Sequence, residues 1–104
     1  MNEERREHVR LVLSLEAKWE DKAGHHGARI SNLSSGGCFI ESQDPATVGE
    51  RIRVEVELPV ERWMKMSGEV VRLAPREGFA IRFSALTISE QSTLAQLIDY
   101  ARGV

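Results

Sequence analysis

Arg51-Ile52-Arg53-Val54-Glu55-Val56-Glu57-Leu58 alternates charged and apolar residues over its whole length. Successive side chains of an extended chain point to opposite sides. Ile52, Val54, Val56 and Leu58 therefore share one face, and Arg51, Arg53, Glu55 and Glu57 share the other. A period of two over eight residues marks a strand with one buried and one wet face. Gln43 to Gly49, with Asp44-Pro45 inside it, reads as the loop that leads in. Pro59 ends the strand, because proline cannot donate to a ladder.

The same period continues on both sides. Trp63 to Leu73 reads as a long strand with a bulge or sharp bend expected at Gly68, since Met64 and Met66 lie in one phase and Val71 and Leu73 in the other. Ala74 to Gly78 reads as a turn, and Phe79, Ile81 and Phe83 mark a sixth strand. Upstream, Leu11, Leu13, Leu15, Ala17 and Trp19 alternate with Ser14, Glu16 and Lys18, with Val12 a mild break on the outer face. Asp21 to Gly27, holding Gly24, His25, His26 and Gly27, reads as a turn or hairpin loop, and Ala28 to Ser31 as a short second strand. A polar turn from Asn32 to Gly37 follows, then a compact third strand at Cys38, Phe39 and Ile40 that ends near Ser42.

The last segment changes period. Leu94, Leu97, Ile98 and Ala101 fall at helical spacing, Thr87-Ile88-Ser89-Glu90 has the spacing of a capping box, and Gly103 suits the stop. The expected fold is mainly β: a six-stranded antiparallel barrel, closed or nearly so and split or Greek-key-like, with a C-terminal α-helix over about 87–102 that plugs or flanks it.

A chain of 104 residues, 41% hydrophobic and 29% charged, suits one soluble domain. It buries about 65% of its unfolded surface, enough for a core without staples. The lone cysteine, Cys38, excludes an internal disulfide and reads as a small core hydrophobe. No apolar run approaches the roughly 20 residues of a membrane helix, and a charged start does not resemble a secretory signal, so a cytoplasmic location is expected. The net charge of −2 speaks against general nucleic-acid binding. Catalytic inventory is thin: there is no phosphate-binding Gly-rich loop and no recognisable Ser–His–acid arrangement, so no enzyme and no cofactor are expected. His25 and His26 are strand neighbours that would face opposite ways, which argues against a zinc site. Packing in the barrel is the default reading for Trp19 and Trp63, and core or rim for Met64 and Met66.

Two short motifs carry the chemistry. Arg6-x-x-x-Arg10, with Arg5 before it, offers forked donors that match phosphate oxygens and the O6/N7 edge of guanine and that stack on flat rings. Asn32-x-Ser34-x-x-Gly37 offers short polar groups and a backbone that a ligand can approach. Either alone is weak, since charged leaders and polar turns are common. Both in this order, on an all-β pattern of this length, are far more specific.

In these motifs, in the strand Gly78-Phe79-Ala80-Ile81-Arg82-Phe83 and in the closing helix, the chain resembles the PilZ domain, a bacterial receptor module for cyclic di-GMP. The resemblance spans nearly the whole length. It implies that Arg6 and Arg10 hold the ligand's phosphates and guanine faces, that Asn32 bonds a guanine edge, that Ser34 donates to a phosphate or base, and that Gly37 keeps the approach clear. Asn32 stands where the motif admits Asp or Asn, and a neutral acceptor bonds more weakly than a carboxylate. The basic Arg5 goes in this family with two stacked ligand molecules. Residues 1–10 are then expected to be a flexible ligand-binding segment that orders on binding, and 11–104 the barrel with its helix. The expected output is a signal to a separate, unidentified effector protein in motility, polysaccharide or biofilm control. The competing expectation is a degenerate PilZ-like adaptor that docks protein and binds no nucleotide.

Overall fold

A computed structural model describes residues 11–58 and 62–101. The alternating segment becomes β4 (Arg51–Leu58), with Ile52, Val54 and Val56 buried and Arg51 and Arg53 in solvent. The other strands are β1 (Leu11–Asp21), β2 (Gly24–Leu33), β3 (Gly37–Glu41), β5 (Arg62–Ala74) and β6 (Gly78–Phe83). They form a closed antiparallel barrel in the order β1-β2-β3-β6-β5-β4. β4 closes the ring against β1, from Ala17 opposite Val56 to Glu20 opposite Arg53. The helix α1 (Ile88–Ala101) follows.

Inward-facing side chains from all six strands fill the barrel. Trp19 and Phe79 are its largest members, in edge contact with ring centroids 5.1 Å apart, a favoured aromatic geometry. Leu94 and Leu97 of α1 join this same cluster, with Ile98 packed beside it, so the helix flanks the barrel against β1 and β5 and adds to its core. Its start is a complete capping box: Glu90 N–H donates to Thr87 Oγ1 at 3.0 Å and Thr87 N–H donates to Glu90 Oε1 at 2.9 Å. Two of the helix's orphan donors are thereby satisfied.

Several expectations are corrected. The first hairpin is tighter than its composition implied. Asp21 pairs with Gly24, Glu20 with His25 and Trp19 with His26, so the supposed loop residues Gly24 to Gly27 belong to β2. Gly24 has φ +130°, which lets two residues turn the chain where a longer loop was expected. Asn32 and Leu33 also remain in β2, and Gly37 already belongs to β3, which leaves Ser34 to Gly36 as the turn. In β5 the irregularity lies between Val70 and Arg72, not at Gly68. Gly68 pairs regularly with Ile52 and Phe83, and a Cβ there would come within 2.9 Å of Ile81 Cδ1. Gly68 thus serves close packing across the barrel. Trp63 faces outward, because Met64, Met66 and Val70 take the inner phase; it is 42% exposed, with the Lys18 ammonium 4.7 Å from its ring centroid.

Candidate ligand groove

An open groove of about 700 Å³ runs over the outer wall of β2, β3, β6 and β5. Its size falls in the range of roughly 300–1,000 Å³ usual for small-molecule sites. Two bulges shape it. In β2 the register shifts between Ile30 and Asn32. Ile30 and Leu33 both point inward, so Ser31 and Asn32 together are turned toward the groove. In β5 the extra residue is Val71, and Val71 and Arg72 line the opposite side. Each bulge disrupts a ladder locally and increases its twist, and the groove lies between the two.

The register fixes the groove's floor. One row runs Asn32–Phe39–Ala80–Arg72 across the four strands. Ala80 is small, so the side chains beside it can lean over it, and the Arg72 guanidinium lies 5.9 Å from the Phe39 ring centroid. Two residues along, a second row joins Gly37, Arg82 and Glu69, with Arg82 and Glu69 3.5 Å apart as an exposed ion pair. On the other side, a third row joins Glu41, Gly78 and Ala74. Neighbouring rows are about 7 Å apart along the strands.

Asn32, Ser34 and Gly37 thus line the same groove, on the side of the β2–β3 turn. Ser34 builds the turn itself. Its N–H donates to the Gly37 carbonyl at 2.9 Å, and its Oγ accepts from Gly36 N–H at 3.2 Å. The hydroxyl's own contact to the Gly37 carbonyl is long, 3.4 Å, so its proton is only weakly engaged. Gly37 has a structural reason to be glycine, since a Cβ would sit 2.1 Å from the Ile81 carbonyl oxygen. The Gly36 carbonyl accepts from Phe83 N–H at 2.9 Å and ties the turn to the end of β6. Arg5, Arg6 and Arg10 lie outside the described residues. β1 begins, however, with Leu11 opposite Leu33 and Val12 opposite Asn32. The chain therefore enters the barrel beside the polar turn.

Sequence reasoning did not assign Phe39, Arg72 or Glu41 to the site. Their alternation showed only that they face outward or inward. That β3 pairs with β6, and so meets Arg72 across Ala80, is a long-range fact with no local signature. The thiol of Cys38, at the inner edge of the groove, is pushed up to about 12 by burial and is no nucleophile.

A second polar cluster lies at the opposite end of the β1–β2 hairpin. His26 stacks on Trp19 with centroids 4.1 Å apart and planes 27° from parallel. Its Nε2 lies 3.0 Å from Asp21 Oδ1 and its Nδ1 3.1 Å from Asp44 Oδ2. Trp19 Nε1–H donates to Ser42 Oγ at 3.0 Å. The hydrogen bond to Asp21, reinforced by Asp44 and opposed by burial, holds His26 above its ordinary pKa. The same bond holds Asp21 below its ordinary value against a smaller opposing effect of burial.

These features define a class: a small closed barrel with a polar turn and a ligand-sized groove on its outer wall. The chain belongs to the PilZ domain family, whose model matches residues 4–100. Solved structures agree in fold. The PilZ domain of YcgR from Escherichia coli, solved with c-di-GMP, is 15% identical and superposes with a TM-score of 0.80 over 94% of this chain and 92% of that one. The PilZ domain of CeSA from a cellulose-synthesizing bacterium is 13% identical, with a TM-score of 0.75 over 90% and 98%. The Bacillus subtilis inhibitor of motility MotI is 21% identical, with a TM-score of 0.71 over 92% of this chain and 50% of that one, so this chain spans half of MotI's length. No curated protein matches the sequence. Among the described residues, no helix is long and apolar enough to cross a membrane.

Proposed function

We propose that this domain is a non-catalytic, cytoplasmic receptor for cyclic di-GMP. The observation that carries the reading is that Asn32, Ser34 and Gly37 line one side of a ligand-sized groove, the side beside which β1 begins at Leu11. The charge balance supports it. The described walls carry Arg72 and Arg82 against Glu41 and Glu77, and so offer no net positive charge to a dianion. The surplus comes from Arg5, Arg6 and Arg10. Their guanidinium forks grip phosphate oxygens and the O6/N7 edge of guanine. Asn32 bonds a base edge, Ser34 turns its weakly held proton to the ligand, and Gly37 leaves the approach bare.

Two stacked ligand molecules bind, the second held through Arg5. Closure of residues 1–10 over the ligand orders them and presents a new surface, and a separate effector protein reads that surface in motility, polysaccharide or biofilm control. The likeness to YcgR solved with c-di-GMP and to an inhibitor of motility supports the ligand and the kind of output.

Calorimetric titration of the full chain with cyclic di-GMP, a guanosine mononucleotide and a short RNA tests the reading. Tight binding of the first alone, near two molecules per chain, is expected. The double variant Arg6→Ala/Arg10→Ala should lose that binding at least 100-fold with an unchanged melting temperature. Equal affinity in the double variant would overturn the assignment of those arginines, and a wild-type chain that ignores the ligand would leave the protein-docking adaptor as the reading.

A further inference from the structure

A groove for a dianion should shun carboxylates, yet this one carries Glu41 in its wall. Glu41 lies on β3 two residues beyond Phe39, on the same face. Its cross-strand neighbour on β2 is Arg29, the natural cation to neutralise it. Arg29 is already committed elsewhere: it donates to Ser14 Oγ and to Glu16 Oε2, each at 2.9 Å. The Glu41 carboxylate therefore has no hydrogen-bond or ion-pair partner among the described residues.

The groove is polarised along its length. One end holds Ser34, Gly37 and Arg82, the last paired with Glu69; the middle row is the platform of Phe39 and Arg72 with Asn32 at its β2 side, and the far end holds Glu41. A nucleotide has the same polarity, with phosphate, then a base face, then a base edge. Only some bases present two adjacent donors on that edge. Guanine does, with N1–H and the N2 amino group; adenine presents an acceptor at N1. A carboxylate has two acceptor oxygens and no donor, so it matches the first and repels the second.

We infer that Glu41 is the residue by which this groove selects guanine, accepting hydrogen bonds from N1–H and N2–H of a base stacked on Phe39 and Arg72. The inference rests on the cyclic di-GMP reading above and adds to it a base-specificity subsite on β3, outside both short motifs. Glu41 is left without a protein cation because the ligand supplies its donors.

The prediction has a sign that separates it from the plain electrostatic alternative. If Glu41 were only a solvated charge, its removal would relieve repulsion of a dianion, and Glu41→Gln would bind more tightly. If it reads guanine, Glu41→Gln turns an amide donor toward guanine's donors and binds more weakly. The full chain and its Glu41→Gln and Glu41→Asp variants are titrated with cyclic di-GMP, with cyclic di-IMP, which lacks the N2 amino group, and with cyclic di-AMP. Melting curves check the fold of each variant.

The wild type is expected to prefer cyclic di-GMP about tenfold over cyclic di-IMP and more strongly still over cyclic di-AMP. Glu41→Gln should lose about tenfold for cyclic di-GMP and most of the preference over cyclic di-IMP. Glu41→Asp keeps the charge but not the reach, and should also lose preference. Unchanged or tighter binding of cyclic di-GMP by Glu41→Gln, or an unaltered preference in either variant, overturns the inference and leaves the receptor reading standing. A wild type that binds no cyclic dinucleotide overturns both.

Discussion

The two ends of the β1–β2 hairpin hold similar polar material and use it in opposite ways. At the Asp21 end, both imidazole nitrogens of His26 have a carboxylate partner, the ring is stacked, and the Trp19 N–H is bonded to Ser42. That corner is saturated, and it joins the first hairpin to the loop after β3. In the groove that starts from the Asn32 end, the Arg72 guanidinium lies 5.9 Å from the Phe39 ring centroid with no ion pair among the described residues, and Glu41, farther along, likewise has no hydrogen-bond or ion-pair partner among them. Polar groups whose bonds are complete hold a structure together; groups set out in a row with their bonds unmade are poised for something that comes from outside.

The largest test of this contrast is Trp19→Ala. Trp19 is 1% exposed, carries the stacked His26 and contacts Phe79. Its loss should cost about 3–5 kcal/mol in urea unfolding. A cost under about 1 kcal/mol would mean that the saturated corner does not bear on stability.

Arg72→Ala should behave in the opposite way. The side chain is exposed, and its guanidinium lies 5.9 Å from the Phe39 ring centroid. Stability should stay within about 0.5 kcal/mol, while affinity for cyclic di-GMP drops about tenfold. A large loss of stability with unchanged affinity would reverse the roles of the two corners.

The smallest effect is a pH dependence confined to the saturated corner. The pKa of His26 is raised in the folded chain above the ordinary histidine value of 6.5, so its stabilisation is complete below that pH and is lost as pH rises through the folded value. The pKa of Asp21 is lowered below 3.8, so its contribution is present above that pH and fades as pH falls through its folded value. Wild type should therefore exceed His26→Gln in melting temperature most between those two values, with the gap narrowing as pH rises through the raised folded value of His26. A gap constant across that range would show that the bracket does not depend on the imidazolium.

The strands were legible where one face is wet and the other dry. Arg51–Leu58 was read to the residue, and Thr87–Glu90 gave the helix start, because both signals are local. The start of β2 was not, since Gly24, His25, His26 and Gly27 have the composition of a loop and become strand only by zipping against Trp19 and Glu20. The bulge in β5 was expected from the change of phase but placed at the glycine; its true position depends on β6, which the local pattern does not show. Of the groove, the sequence offered the turn and its arginines. Phe39, Arg72 and Glu41 needed the non-sequential pairing of β3 with β6 before they could be seen to face one another.

Ring closure has a consequence for how a signal can leave the domain. Every one of the six strands already has two neighbours. The overlaps are partial, however: residues 11–16 of β1, 24–28 of β2 and 62–67 of β5 are paired on one side alone, and such stretches are where a sheet border is open to another strand. A protein that listens to this domain thus meets a ring sealed only where neighbouring strands overlap, and strand addition along the half-paired stretches stands beside side-chain recognition as a way to dock.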